Sequence, residues 1–219
     1  MERHFDEELN NLKRNILKMA SLVDESIDKA IRALVERKEE LALEVENQDS
    51  AIDMLEIEID MLCLDLLARR QPIAIDLRFI ASVMKINSDL ERIGDLAANI
   101  GHKTQILLKY PLLKPLIDIP KMGDLIRGML KDSITALVEK NSELARNITT
   151  RDTLVDDLYV QVFREVLTHM MEDNENIKTG IELILVAKHL ERMADHITNV
   201  AEDIVYMVEG KTIKHKFEE

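Results

Sequence analysis

From Phe5 to about Glu36, apolar residues recur at three- and four-residue intervals: Leu9, Leu12, Ile16, Met19, Val23, Ile27, Ala30, Ile31 and Leu34. That spacing predicts an amphipathic helix with one buried face. The charged run Arg37-Lys38-Glu39-Glu40 interrupts the pattern and predicts a bend. A second helix is expected from about Leu41 to Arg69, with Ile52, Leu55, Ile59, Leu62 and Leu66 on its core face. Gln71-Pro72 ends it and opens a third, because proline is tolerated in a first helical turn. The third helix runs past Asn99 to about Leu108, with Asp76 near its start, where a carboxylate suits the helix dipole. Tyr110–Gly123 then holds Pro111, Pro115 and Pro120, three of the four prolines, and predicts a stiff non-helical connection.

After that connection the pattern begins again. Ile134-Thr135-Ala136-Leu137-Val138-Glu139 repeats Ile31-Arg32-Ala33-Leu34-Val35-Glu36, and Asp152 and Asp156 repeat Asp49 and Asp53, all at an offset of 103 (152 − 49). In the third helix the offset is 100: Leu90-Glu91-Arg92-Ile93-Gly94-Asp95 becomes Leu190-Glu191-Arg192-Met193-Ala194-Asp195. Three residues are therefore missing from the second copy, near Met171–Asn176. The chain is an internal duplication. It predicts an all-α fold: two three-helix bundles, six long helices in all, related by a pseudo-twofold axis. Residues 1–110 form the first repeat, 111–120 the Pro-rich linker and 121–219 the second repeat. Helices of about 30 residues are about 45 Å long, so an elongated molecule is expected, its bundles meeting at the linker.

Composition supports this and narrows function. Among 219 residues there are six glycines, four prolines and no tryptophan, and the formal net charge is −13. Nucleic acid is a poor partner for such a chain, because phosphate neutralisation needs clustered Lys and Arg. Cations and basic protein surfaces suit it. Cys63 alone forms no internal disulfide and reads as a small core residue. Met1–Asn11 is polar and acidic, unlike a secretory signal, and no apolar run reaches the roughly 18–20 residues that span a bilayer. A cytoplasmic location is expected.

The candidate chemistry is acidic. Glu91, Asp95 and Asn99 stack on one side of the third helix, and Glu191, Asp195 and Asn199 do so in the second copy. Leu90, Ile93, Ala97 and Ile100 lie on the opposite side, so the oxygen-rich ridge turns away from the core. Asp49 and Asp53 form a matching stripe on the second helix, as do Asp152 and Asp156. Short connections make consecutive helices antiparallel neighbours, so both stripes of a repeat can face one groove. Four carboxylates and an amide oxygen suit Mg²⁺, Ca²⁺, Mn²⁺ or iron better than copper or structural zinc. A single acid pair at i, i+4 is ordinarily only solvated surface; its repetition in both halves turns the reading toward cation binding. Glu56 and Glu58 fall opposite Tyr159 and Gln161, and rank below the paired set.

Arg92 and Arg192 read as partners of neighbouring acids, and secondarily as contacts to a partner protein. His189 and His196 have no counterpart in the first repeat, where Asp89 and Leu96 stand, and read as surface histidines. The sequence has no Glu-x-x-His, no His-Glu-x-x-His, no Gly-x-Ser-x-Gly and no Gly-rich phosphate loop, so no catalytic residue is assigned. No enclosed apolar setting that would raise a carboxyl pKa is expected either.

At these residues the chain resembles the PhoU family of phosphate-signalling proteins over essentially its whole length. The resemblance lies in Gln71-Pro72 with Asp76-Leu77-Arg78, in Leu90–Asp95 with Asn99-Ile100, and in Leu190–His196 with Asn199-Val200-Ala201-Glu202. It implies two pseudo-symmetric three-helix bundles and metal, iron among others, at Asp49/Asp53 with Glu91/Asp95 and at Asp152/Asp156 with Glu191/Asp195. It further implies a non-enzymatic negative regulator of phosphate uptake and starvation signalling. Such a regulator is a cytoplasmic adaptor between the ATPase subunit of a phosphate importer and a sensor histidine kinase, here expected as a homodimer. Membrane association would come only through those partners. The second repeat has no Asp-Leu-Arg equivalent. A metal-storage or metal-dependent helical enzyme is the alternative.

Overall fold

Among the described residues, seven α-helices and one short 3₁₀ turn make up the fold: α1 (Glu2–Val35), α2 (Glu39–Arg70), α3 (Ala74–Leu107), α4 (Asp118–Glu139), α5 (Ser142–Thr149), α6 (Asp152–Glu172), the turn Asn174–Asn176, and α7 (Ile177–Glu209). The computed structural model describes residues 2–213; Met1 and residues 214–219, the last part of the expected second repeat, lie outside the described residues. Among the described residues there is no β-strand. α1, α2 and α3 pack on one another as one three-helix bundle. α4, the α5–α6 pair and α7 form the second.

The charged bend falls where the sequence places it. Arg37 adopts a left-handed φ of 55°, and Lys140, its equivalent at offset 103, adopts 53°. Arg37 also donates from Nη2 to the carbonyls of Leu108 (3.0 Å) and Tyr110 (2.8 Å), tying the first turn to the start of the linker. Pro120 sits in the first turn of α4, a position that proline tolerates because the amide there has no intrahelical partner.

The second helix of the second repeat is not continuous. Its hydrogen bonds slip to three-residue spacing, from Thr150 N to Asn147 O (3.3 Å) and from Arg151 N to Ile148 O (3.0 Å). Threonine hydroxyls compete for the same carbonyls: Thr149 donates to Arg146 O (2.9 Å) and Thr150 to Asn147 O (2.8 Å). Such back-bonding weakens a helix locally. The fifth of the six expected helices therefore runs as α5 and α6.

The bundles meet side by side rather than at the linker. α3 lies against α7 and α1 against α4, and one hydrophobic core runs through both repeats. α3 and α7 are antiparallel, as their cross-links show. Lys103 pairs with Glu182 (3.0 Å), and the Arg78 guanidinium reaches Met207 O (3.5 Å) at the far end. Arg78 thus places a cation at the C-terminus of α7, where the helix dipole favours one. That gives the Asp-Leu-Arg stretch, absent from the second repeat, a structural role.

Candidate metal centre

α2 and α3 run antiparallel, with Glu46 near the start of α2 accepting from Gln105 near the end of α3 (2.7 Å). Asp49 and Asp53 therefore face Asp95 and Glu91 across the helix pair. Gly94 permits the close approach. A Cβ there would lie 3.0 Å from Ile52 Cδ1 and 3.8 Å from Asp49 Oδ1. One oxygen each from Asp49, Asp53 and Asp95 comes within 4.8 Å of the other two.

Burial changes the chemistry of these acids. Asp49 Oδ1 is shielded from solvent and has no hydrogen-bond partner. Burial, with the nearby Asp53 and Asp95 charges, pushes the Asp49 carboxyl up to about 6. Glu91 is also raised, by burial and by Asp95, although Arg92 opposes the shift. Glu56, ranked lower on sequence, is raised by burial and then by Asp60 and Asp53, so it shares the same field. The ridge is thus half-buried in a groove, and a raised carboxyl pKa, not expected from sequence, is present. Arg92 is exposed and donates to Asp95 Oδ2 (3.1 Å), with Glu91 Oε2 at 3.6 Å. Asn99 stands one turn beyond Asp95 on the same ridge and is exposed.

The second repeat repeats the geometry with two changes of charge. Asp152 opens α6 and has a buried oxygen without a partner. Burial, then Asp156, Asp195 and Glu191, pushes its carboxyl up to about 6. Asp156 and Asp195 are raised as well, first by burial and then by Glu191. Here, however, Lys188 donates to Glu191 Oε1 at 2.6 Å and lies 5.4 Å from the centre of the Tyr159 ring. Lys188 stands where the first repeat has Ser88, Tyr159 where it has Glu56, and Ala194 where it has Gly94. An acid has gone, an ammonium has arrived, and a methyl occupies the point of closest approach. Among the described residues, Asp49, Asp53 and Asp95 are the only carboxylate trio within reach of one ion. The duplicate offsets show all three differences in advance, but only with both copies laid over each other.

Two expectations need correction. His196 is not a surface histidine; its Nδ1 lies 2.8 Å from Asp89 Oδ1 of the other repeat. Asn199 joins it, donating to the same Asp89 oxygen (3.4 Å), so its amide turns to the seam between repeats. His189 is half-buried, and burial, Lys103 and Arg192 lower its pKa. Arg192 itself is exposed, like Arg92.

Chemically, the first repeat offers three hard oxygen ligands, one with an unsatisfied buried lone pair, in a field that favours added positive charge. That donor set fits Mg²⁺, Mn²⁺, Ca²⁺ or iron.

Comparison with known proteins places both halves. Residues 16–104 and 119–204 each match the PhoU domain. The chain is 43% identical to a phosphate-specific transport system accessory protein PhoU homolog of Aquifex aeolicus, over 95% of each sequence. It is 35% identical to a homolog of the same description from Zymomonas mobilis, over 97% of this chain and 90% of the relative. The crystal structure of PhoU from Pseudomonas aeruginosa superposes with a TM-score of 0.91 at 34% identity, covering 94% of this chain and all of that one. The phosphate transport system regulatory protein PhoU from Streptococcus pneumoniae gives 0.88 at 33%, covering 96% and 100%. No helix among the described residues is long and apolar enough to cross a membrane. With both domains present and relatives matched nearly end to end, this chain belongs to the PhoU family, whose members are regulatory accessory proteins and not enzymes.

Proposed function

We propose that this protein is a regulatory accessory component of a phosphate-specific transport system, lowering phosphate uptake and starvation signalling when phosphate is plentiful. The observation that carries the reading is the end-to-end match to relatives described as accessory proteins of that system. In this reading the chain works in the cytoplasm as an adaptor between the importer's ATPase subunit and a sensor histidine kinase, as a homodimer. Rim charges on two similar acidic faces would speed encounter and set specificity. Deleting the gene should leave uptake and starvation genes switched on in phosphate-rich medium, measured by labelled phosphate uptake and a starvation-gene reporter. Normal repression in the deletion strain would remove the reading. Restoring Arg92→Ala and Arg192→Ala variants then tests whether the repeated exposed arginines touch a partner.

A hard cation held by Asp49, Asp53 and Asp95, with Glu91 beside them, belongs to the same proposal. Its support is the orphaned, buried Asp49 oxygen and the raised carboxyls around it. Asp152, Asp156, Glu191 and Asp195 would bind more weakly, because Lys188 already neutralises Glu191. Calorimetric titration with Mn²⁺ should therefore show Asp95→Asn costing about tenfold or more in the tighter affinity, roughly the 1.4 kcal/mol per decade of binding. Asp195→Asn should leave that affinity unchanged. Equal losses from the two variants would refute the inequality of the repeats.

A further inference from the structure

On α2, Met54, Ile57, Met61 and Leu64 are 74%, 56%, 66% and 56% exposed. Their spacing of three, four and three residues places them in one stripe about 15 Å long, on the side of α2 opposite Ile52, Leu55 and Ile59. Both faces of α2 are therefore apolar, and only one meets the core. The fold itself does not require this. At the equivalent positions α6 has Asp157, Val160, Arg164 and Leu167, so the duplicate helix places charges at two of the four sites. Contiguous exposed apolar surface of this kind marks an interaction site on a soluble chain, and methionine adapts to varied partner shapes.

The flanks identify the occupant. Asp53 and Asp60 border the stripe on one side, Glu58 and Asp65 on the other. Asp65 pairs with Arg69 (2.6 Å). Among the described residues, no lysine or arginine forms an ion pair with Asp53, Glu58 or Asp60. A second copy docking through the same stripe would bring a second set of these four carboxylates to one seam. An anionic bilayer would be repelled by the same acids. From this we infer that the outer face of α2 docks an amphipathic helix of a protein partner, apolar along one stripe and lined by lysine or arginine on both sides. The docked helix lies along α2 and adds a fourth helix to the first bundle. Apolar contact supplies affinity, and the paired charges fix register.

The inference concerns the purified chain and stands apart from the phosphate reading. Its test is a fluorescently labelled leucine–lysine peptide of about 18 residues, helical and two-faced, with a scrambled peptide of equal composition as control. The designed peptide should bind at least tenfold tighter than the scrambled one. Met54→Asp with Met61→Arg should erase that difference; it leaves net charge unchanged and introduces residues the second repeat already carries at these positions. Affinity should also fall several-fold between 0.05 and 0.5 M salt. In the unmutated chain, methyl NMR signals of Met54 and Met61 should shift on peptide addition while those of buried Met122 and Met193 stay in place. Equal binding of both peptides, or unchanged binding by the double variant, overturns the inference. So does a dimer, or binding to phosphatidylglycerol vesicles, that the same double variant abolishes.

Discussion

Asp49→Asn together with Asp152→Asn should make the metal-free chain more stable at pH 7.5, not less. Both carboxyls are pushed up to about 6 by burial and by neighbouring acids. Each is therefore easier to protonate in the folded chain than in the unfolded one, where an aspartate ionises near 3.8. The favourable contribution is full below about pH 4 and is lost as pH rises through about 6. A shift of this size corresponds to about 3 kcal/mol per group at most. Partial exposure and solvent screening reduce it to about 1–2 kcal/mol each. The double variant should then melt several degrees above the unmutated chain at pH 7.5, and close to it at pH 4.5, read by calorimetry of chelator-treated protein. Millimolar Mn²⁺ should raise the melting temperature of the unmutated chain at pH 7.5 and do little for the variant, because a bound cation relieves the same repulsion. A variant less stable than its parent at pH 7.5 would show that these acids are well solvated.

Leu90→Ala should lower stability by about 2–5 kcal/mol, the range for truncating a buried leucine in a core that relaxes only partly. Leu90 is fully buried, as is Leu190 at the matching position. In a chain of this size that is a fall of about 5–15 °C in melting temperature. The core is continuous through both repeats, so one transition should move as a unit and not split in two. Arg92→Ala, two residues away on the exposed side, should change stability by less than about 1 kcal/mol, since exposed ion pairs contribute little. A split transition in Leu90→Ala would mean that the repeats unfold independently. The contrast between these neighbours separates what the repeated stretch does for the fold from what it offers to partners.

Much of the architecture is legible in the sequence because it is local. Helical period, the prolines of the linker and the charged bend at Arg37 depend on residues within a few turns of one another, and the two offsets need only the order of residues along the chain. The pairing of Asp49/Asp53 with Glu91/Asp95 is nearly as local, because a short connection makes α2 and α3 antiparallel neighbours. Even the break between α5 and α6 has a local cause in Thr149 and Thr150, though their hydroxyls' choice of carbonyl shows only in the folded helix.

What the sequence by itself determined is thus the duplicated helical frame and the acid pairs it repeats. Tertiary structure alone decided how deeply those acids sit. Burial of Asp49 depends on Gly94 letting α3 approach Ile52, a contact between residues on different helices. The seam between repeats is equally non-local. Asp89 draws in His196 and Asn199 from more than 100 residues away, and so removes both from the surface that helical periodicity assigns them. Lys188 reaches Glu191 locally, three residues along α7, but its place over the Tyr159 ring depends on α7 packing against α6. Periodicity fixes which side of a helix a residue occupies; which neighbour covers that side depends on packing between distant segments, and desolvation and charge follow from it.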